Sequence, residues 1–156
     1  MDIRKAQERD IADIERLLRQ VCTVHSRVRD DLFRENGQKY FGDDLKRMIA
    51  DENTQIFVFP DDDENIMGYA ICFIKRISGD TALQDMTSLY LDDLCVDENC
   101  RGEGIGRSLY KHVLNYAKSI GCYNVTLNVW EGNDSARDFY EKCGLKIQKT
   151  TLEKIL

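Results

Sequence analysis

Three glycines within five residues place the strongest constraint on how this sequence can fold. Gly102, Gly104 and Gly106 lie between an apolar stretch typical of a strand, residues 88–96, and an amphipathic helix pattern that begins at about Gly104. The start of a helix leaves four backbone amides without intrahelical partners, and glycines let a ligand approach those amides closely. The segment therefore predicts a strand, a turn and a helix, with a turn that suits an anion such as phosphate.

The residue at position 107 excludes two common phosphate-binding motifs. The dinucleotide motif G-x-G-x-x-G and the P-loop motif G-x-x-x-x-G-K-[ST] both need glycine where this chain has Arg107. The pattern that remains is R-x-x-G-x-G, formed by Arg101, Gly104 and Gly106. Arg101 and Arg107 can add charge-assisted contacts to a phosphate.

The whole chain alternates helix-like and strand-like segments, which is typical of an α/β fold. A single proline, Pro60, and the lack of a Gly/Ser-rich linker predict one domain over residues 1–156. Asp10 is the expected N-cap of the first helix. The predicted order is β-α-α-β-β-β-α-β-α-β, with strands at about 3–6, 55–59, 66–75, 88–96, 123–130 and the last dozen residues, and helices at about 11–21, 43–51, 104–120 and 134–143.

Composition excludes several classes of protein. Hydrophobic residues make up 42% of the chain, which excludes an intrinsically disordered protein. The longest apolar runs, such as residues 56–59, fall far short of the roughly 20 residues of a membrane-spanning helix. The net charge of −6 disfavours nucleic acid and anionic membranes as partners. Six scattered cysteines without a C-x-x-C pair, and no apolar leader, predict reduced thiols, no metal site and a cytoplasmic location.

The chain resembles the GNAT superfamily of acyl-CoA-dependent N-acyltransferases. The resemblance rests on R-x-x-G-x-G after the strand that ends Leu94-Cys95-Val96-Asp97, and on residues 133–145, which are similar to the family signature N-x-x-A-x-x-x-Y-x-x-x-G-F with Leu145 in place of Phe. It implies a central, mostly antiparallel sheet with helices on both faces, and acetyl-CoA as co-substrate.

The resemblance also implies which residues contact the cofactor. The glycine turn would hold the pyrophosphate, the main chain of the preceding strand would pair with the pantetheine, and Asn133 would bind the pantetheine or cap its helix. Glu103 departs from what a phosphate site prefers, so we expect its side chain to point outward. The expected cofactor contacts are Leu94, Cys95, Val96, Arg101, Gly102, Glu103, Gly104, Ile105, Gly106, Arg107 and Asn133.

Two adjacent aspartates in an apolar strand are candidates for acid–base chemistry. Strand alternation predicts Tyr90, Asp92, Leu94 and Val96 on one face, and Leu91, Asp93 and Cys95 on the other. Burial raises the pKa of a carboxyl group and suits it to act as a base. We assign Asp92 as the base and Asp93 as a substrate contact; the alternative is a strand end or bulge that carries solvated acids.

The resemblance implies further catalytic and acceptor-binding residues. Tyr140 matches the family tyrosine that protonates the departing thiolate, although a buried core tyrosine is the other interpretation. The residues expected to line the acceptor pocket are Asn128, Trp130, Asp31 and Phe33.

The predicted function is transfer of an acetyl group from acetyl-CoA to the primary amine of a polyamine-like or aminoglycoside-like small molecule, by direct attack in a ternary complex. Three alternatives remain open: a protein N-terminal α-amine acetyltransferase, a non-catalytic CoA-binding regulatory module, and a structural domain without a ligand. The resemblance also suggests a homodimer paired through the C-terminal strand.

Overall fold

A computed structural model describes residues 2–156 and contains one five-stranded sheet flanked by helices. The strands lie in the order β1-β2-β3-β4-β5; all neighbours are antiparallel except the parallel pair β4 and β5. The elements are β1 (Arg4–Lys5), α1 (Ile11–Val28), α2 (Gly42–Ala50), β2 (Thr54–Pro60), β3 (Ile66–Ile77), β4 (Met86–Val96), α3 (Ile105–Ser119), β5 (Asn124–Thr126) and α4 (Asp134–Lys142), with 3₁₀ turns at Glu8–Asp10 and Glu98–Cys100. The predicted mixed-sheet fold class is confirmed.

Two apolar clusters cover the two faces of the sheet. In the first cluster, Leu17 and Leu18 of α1 and Leu45 of α2 pack against one face of β2 and β3. In the second, Leu109 and Val113 of α3 pack against the opposite face. The apolar spacing predicted for the helices is therefore the spacing that seals both sides of the sheet, because residues three and four apart share one helix face.

The first helix is longer than predicted and begins differently. It ends at Val28 rather than near residue 21, because the hydroxyl groups of Thr23 and Ser26 donate to main-chain carbonyls of the preceding turn and so fit within a helix. Asp10 precedes the helix as predicted but does not cap it. Its buried carboxylate instead accepts two hydrogen bonds from Arg4, at 2.8 and 3.0 Å, and one from the Gln7 N–H at 2.7 Å.

A β-bulge interrupts β4 and overturns part of the predicted alternation. Leu91 lies opposite Cys72 and Asp93 lies opposite Ile71, so Asp92 is the extra residue. Leu89 and Leu91 pack in the second cluster before the bulge, and Leu94 and Val96 pack there after it. A bulge of one residue exchanges the two faces of a strand. The prediction that Leu94 and Val96 share one face with Tyr90 and Asp92 was therefore wrong, and so was the prediction that Asp93 shares a face with Leu91, although Cys95 does lie opposite Leu94 and Val96.

The C-terminal part of the chain also differs from the prediction. The strand predicted at 123–130 is limited to Asn124–Thr126, and residues 127–130 pair with no other strand of the described part of the chain, residues 2–156. The last dozen residues form no strand within residues 2–156, so the final element of the predicted order is wrong for a single chain. A strand needs a neighbour for its main-chain hydrogen bonds, and this segment has none among the described residues 2–156.

None of the helices in residues 2–156 is long and apolar enough to cross a membrane.

Candidate active site

The sheet opens into a cleft where β4 and β5 diverge. The two strands pair from Ser88 and Asn124 to Tyr90 and Thr126, and within residues 2–156 the rest of β4 has no partner strand on that side. Hydrogen-bonded pairs alternate along an antiparallel ladder, and the bond from Asp97 N–H to Met67 O, at 2.8 Å, sets the register between β3 and β4. The main-chain groups of Leu94 and Val96 therefore face the cleft, whereas those of Cys95 face β3.

The glycine turn lies at the end of this cleft and is shaped as the sequence predicts. Gly102 and Gly104 have φ of 83° and 81°, a left-handed conformation that favours glycine, and a Cβ added at either position would meet no atom within 4 Å. The first main-chain bond into α3 runs from Ser108 N–H to Gly104 O, at 3.0 Å. The amides of residues 105–107 are therefore left for an external acceptor. The flanking charged side chains are exposed at Arg101, Glu103 and Arg107.

Gly106 brings the turn, β4 and α4 together. A Cβ at this position would lie 3.5 Å from Val96 and 3.6 Å from Phe139. The next residue of α4, Tyr140, packs its ring against those of Phe139 and Tyr110, with centroid distances of 5.0 and 6.1 Å. Burial, with a smaller contribution from the Asp93 carboxylate, raises the pKa of Tyr140 above its ordinary value, so the hydroxyl stays protonated. Tyr140 is thus a hydroxyl donor near the open part of β4.

Asp93 is partly buried, and the pKa of its carboxyl group is raised above the ordinary value. The hydroxyl of Tyr69, a fully buried residue of β3, donates to Asp93 Oδ2 at 2.6 Å. Burial raises the pKa of Asp93 to about 6, while the Tyr69 hydrogen bond and the positive charge of Lys39 oppose the increase. At neutral pH the group is ionised and more basic than an ordinary aspartate.

Asp92 lies beside it but has different partners. The Lys39 Nζ lies 2.9 and 2.8 Å from its two carboxylate oxygens, and the Tyr40 hydroxyl donates to Oδ2 at 2.8 Å. Both aspartates therefore bind tyrosines that belong to the first cluster, which contains Tyr69 and the partly buried Tyr40. The alternative interpretation is therefore right about the bulge, but the two carboxylates are not simply solvated, since both have protein donors.

Four residues predicted for the acceptor pocket lie on two segments that border the cleft. Phe33 and Trp130 meet edge to face with a centroid distance of 5.4 Å, and the Arg29 guanidinium lies 5.9 Å from the Trp130 ring. Asp31 pairs with the same Arg29 at 2.7 Å. Asn128 follows β5, and its amide donates to the Tyr90 hydroxyl at 3.1 Å. The structure thus brings Asp31, Phe33 and Trp130 together through Arg29, which sequence reasoning missed.

Two residues predicted as cofactor contacts have structural partners of their own. The Cys95 side chain is buried on the α1 side, where its Sγ lies 3.6 Å from the Leu17 carbonyl oxygen, and burial raises the pKa of its thiol to about 12. Such a thiol is a poor nucleophile. The Asn133 Oδ1 accepts a hydrogen bond from Ala136 N–H at 3.3 Å, which is the N-cap role that the sequence left open.

Sequence reasoning also missed Lys39, Tyr40 and Tyr69. Tyr69 carried a signal, because a tyrosine among apolar residues of a buried strand needs a partner for its hydroxyl. Lys39 and Tyr40 lie in the irregular segment between α1 and α2, where no periodicity predicts which way a side chain points.

Among residues 2–156, no group of three or more His, Cys, Asp or Glu side chains is arranged as metal ligands.

The fold and the cleft define a mixed-sheet α/β protein with a glycine turn, an open strand edge and a carboxylate pair along one groove. Residues 21–145 match the Acetyltransferase (GNAT) family, and the chain belongs to this family. The family resemblance is thereby confirmed. A solved structure of a mutant BH1408 protein from Bacillus halodurans is 33% identical with a TM-score of 0.95, and the alignment covers 100% of this chain and 99% of that one.

Curated relatives match over different lengths. The thialysine N-epsilon-acetyltransferase of Bos taurus is 26% identical over 91% of this chain and 82% of its own length. The peptidyl-lysine N-acetyltransferase YjaB of Salmonella typhimurium is 39% identical over 40% of this chain and 39% of its own. The glucosamine 6-phosphate N-acetyltransferase of Arabidopsis thaliana is 32% identical over 42% of each chain. The chain thus spans about two fifths of the length of the latter two relatives.

The Asp93 environment predicts a measurable titration. Tyr69→Phe removes the hydroxyl that stabilises the carboxylate, so the pKa of Asp93 should rise above about 6. Carboxyl chemical shifts measured by NMR against pH report this change. Tyr90→Phe is the control, because the Tyr90 hydroxyl is bound by Asn128 and should leave the Asp93 titration unchanged. An unchanged or lower Asp93 pKa in Tyr69→Phe would contradict the assignment.

Proposed function

We propose that the protein is an acetyl-CoA-dependent N-acetyltransferase that acts on a primary amine of a cationic small molecule. The observation that carries this proposal is the open stretch of β4, because its main-chain groups at Leu94 and Val96 lie between a carboxylate pair and a glycine turn. These three parts correspond to what an acyl transfer to an amine requires: a base, a surface along which the acyl donor extends, and an anion site.

The residues of the cleft fit acetyl-CoA. The unpaired amides of residues 105–107, with Arg101 and Arg107 beside them, suit the pyrophosphate. The free main-chain groups of Leu94 and Val96 can hydrogen-bond the pantetheine as an added strand would. When bound, acetyl-CoA supplies an activated acetyl thioester. Side chains alternate along β4, so the Cys95 thiol lies on the α1 side of the sheet and not in the cleft. This position favours direct attack of the amine on the thioester over an acyl-cysteine intermediate.

We assign Asp93 as the base, which reverses the roles given to the two aspartates from the sequence. An alkylammonium has a pKa of roughly 10.4 and must lose a proton before its nitrogen can attack. Asp93, with its pKa raised to about 6, can accept that proton directly or through a water molecule. Tyr69 holds the Asp93 carboxylate in place through its hydroxyl.

Asp92 is the better candidate for holding the charge of the acceptor. It already binds one primary alkylammonium, that of Lys39, through both carboxylate oxygens. An acceptor amine that displaced Lys39 would meet the same carboxylate and the Tyr40 hydroxyl. The names of two of the three relatives support an aminoalkyl acceptor, since they specify thialysine and peptidyl-lysine, whereas the third specifies glucosamine 6-phosphate. A lysine side chain on a peptide is therefore the second candidate acceptor.

Tyr140 completes the proposed mechanism as the acid. Its hydroxyl stays protonated because burial and the nearby carboxylate raise its pKa. It can give this proton to the departing thiolate sulfur, while the proton taken from the amine stays on Asp93 until solvent removes it. The two groups thus begin the reaction in the protonation states that their roles require.

The direct test is release of free CoA thiol from acetyl-CoA in the presence of a panel of acceptors. The panel contains thialysine, lysine, a polyamine, an aminoglycoside, glucosamine 6-phosphate, and a peptide offered with a free α-amine or an internal lysine. We expect thiol release with aminoalkyl cations and a mass gain of one acetyl group on the amine. Acetyl-CoA binding without turnover on any acceptor would favour a regulatory module instead.

Replacement of Tyr140 tests the acid. Tyr140→Phe should lower turnover about 100-fold, the usual contribution of a general acid, and leave the dissociation constant of acetyl-CoA nearly unchanged. Tyr110→Phe is the matched control, because its ring packs against that of Tyr140 in the same cluster. Equal turnover in Tyr140→Phe and the unmodified enzyme would show that solvent protonates the thiolate.

Replacement of Gly104 tests the anion site. Gly104→Asp places a carboxylate over the unpaired amides, so the affinity for acetyl-CoA measured by calorimetry should fall at least about tenfold. Gly121→Asp is the control for backbone strain, since Gly121 has a similar φ of 77° but follows the far end of α3. Undiminished affinity in Gly104→Asp, or an equal loss in Gly121→Asp, would remove the pyrophosphate from this turn.

A further inference from the structure

The ammonium group of Lys39 lies where the proposed function places the amine of an acceptor. Its Nζ is 2.9 and 2.8 Å from the two carboxylate oxygens of Asp92. Asp92 stands just beyond Tyr90, the last residue of β4 that pairs with β5, so this ion pair lies where the two strands diverge. A primary alkylammonium of the chain itself is thus already bound next to Asp93.

The residues on both sides of Lys39 are anchored, and they direct its side chain to this place. Before it, the Gln38 Nε2 donates to Glu15 Oε1 of α1 at 3.0 Å and to the Tyr40 carbonyl oxygen at 2.8 Å. After it, the Tyr40 hydroxyl donates to Asp92 Oδ2 at 2.8 Å. A group that is held close to its reaction partner reacts faster than a free one, because less freedom of motion has to be lost.

The Lys39 side chain is not a buried structural cation. It is 52% exposed, whereas the side chain of Asp92 is 8% exposed. An ion pair with one partner so exposed contributes little to stability, so the nitrogen can leave the carboxylate while the fold is kept. The Lys39 nitrogen is therefore accessible, and it can move once it has lost a proton.

We propose that Lys39 is a site of self-acetylation, at which the chain transfers an acetyl group from its own bound acetyl-CoA to the Lys39 nitrogen when no acceptor fills the cleft. This inference rests on the proposed function, because Asp93 and Tyr140 act here in the roles assigned above. The reaction is intramolecular, since Lys39 lies in the cleft of its own chain.

The reaction balances with acetyl-CoA as the only co-reactant. The Lys39 ammonium gives one proton to Asp93, directly or through water, and the neutral nitrogen attacks the carbonyl carbon of the thioester. A C–N bond forms, the C–S bond breaks, and Tyr140 gives its proton to the departing thiolate. The proton that the nitrogen loses as the amide forms returns to Tyr140 through solvent. The charge of Lys39 already acts on Asp93, because it opposes the increase in the pKa of that carboxyl group.

Acetylation of Lys39 would change what Asp92 can bind. The amide of acetyl-lysine carries no charge, so the modified side chain cannot form an ion pair with Asp92. The carboxylate is then left for a cationic acceptor. Before the modification, an acceptor amine competes with Lys39 for the same carboxylate and should slow the self-acetylation.

Peptide mass spectrometry of the full chain, incubated with acetyl-CoA alone, tests the modification. Lys39 should gain one acetyl group at least about 100-fold faster than Lys46, because Lys46 reacts only with acetyl-CoA from solution. Lys46 is the matched control: it is 63% exposed and pairs with Glu8 at 3.5 Å, but Glu8 follows β1, the opposite edge strand of the sheet. Dilution of the protein should leave the rate constant at Lys39 unchanged, and an excess of a polyamine should lower it.

Lys39→Arg removes the reactive nitrogen and keeps the positive charge. Arginine stays protonated and can still pair with the Asp92 carboxylate, so the segment should keep its place. The intact mass of this variant after incubation with acetyl-CoA should lack the one rapidly added acetyl group. The same rapid gain in Lys39→Arg would assign the acetyl group to another residue and overturn the proposal.

The remaining outcomes separate this proposal from the proposed function. Acetylation of Lys39 no faster than that of Lys46, while amines of the acceptor panel are turned over, removes the self-acetylation and leaves the proposed function in place. A Lys39 rate constant that falls on dilution shows transfer between copies and overturns the intramolecular reaction. Acetylation of neither Lys39 nor any acceptor overturns both proposals.

Discussion

The site depends on the bulge that the pairing of β3 with β4 imposes at Asp92. Because one extra residue stands in β4, the strand presents Leu89 and Leu91 to the α3 cluster before the bulge and Leu94 and Val96 to it afterwards. In a regular strand Asp93 would continue the alternation of Leu89 and Leu91 and would lie on the α3 face, in place of an apolar side chain. The bulge moves Asp93 toward the Tyr69 hydroxyl and keeps both sides of the sheet sealed.

The position that the bulge gives to Asp93 combines partial burial of its carboxylate with a hydrogen bond to it. A carboxylate that loses water without gaining donors is strongly destabilising, whereas one that keeps full solvation has an ordinary pKa and is a weak base. Asp93 lies between these limits, because burial raises its pKa to about 6 and the Tyr69 hydrogen bond limits the increase. The negative charge of Asp92, one residue away, is paired with the Lys39 ammonium, and its Oδ2 also accepts a hydrogen bond from the Tyr40 hydroxyl. Adjacent residues in sequence thus have different electrostatic environments.

The parts of the molecule that the sequence predicts are those set by local patterns. The apolar spacing of α1, α2 and α3, the glycine turn and the N-cap at Asn133 depend on residues within a few positions of each other. The bulge is not predictable in this way, because the register depends on β3, an earlier and separate part of the chain. The same holds for Lys39 and Tyr40, whose contacts with Asp92 join positions more than fifty residues apart.

The C-terminal segment, residues 146–156, illustrates a different limit. Its apolar and β-branched residues favour a strand, and that prediction was wrong, because a strand exists only where another strand receives its hydrogen bonds. Within residues 2–156 the outer side of β5 and residues 127–130 are unpaired as well. Local preference therefore determines what the segment can become, and the availability of an edge determines where. The segment nevertheless contacts the acceptor side of the cleft, because Glu153 pairs with Arg29, whose guanidinium lies over the Trp130 ring.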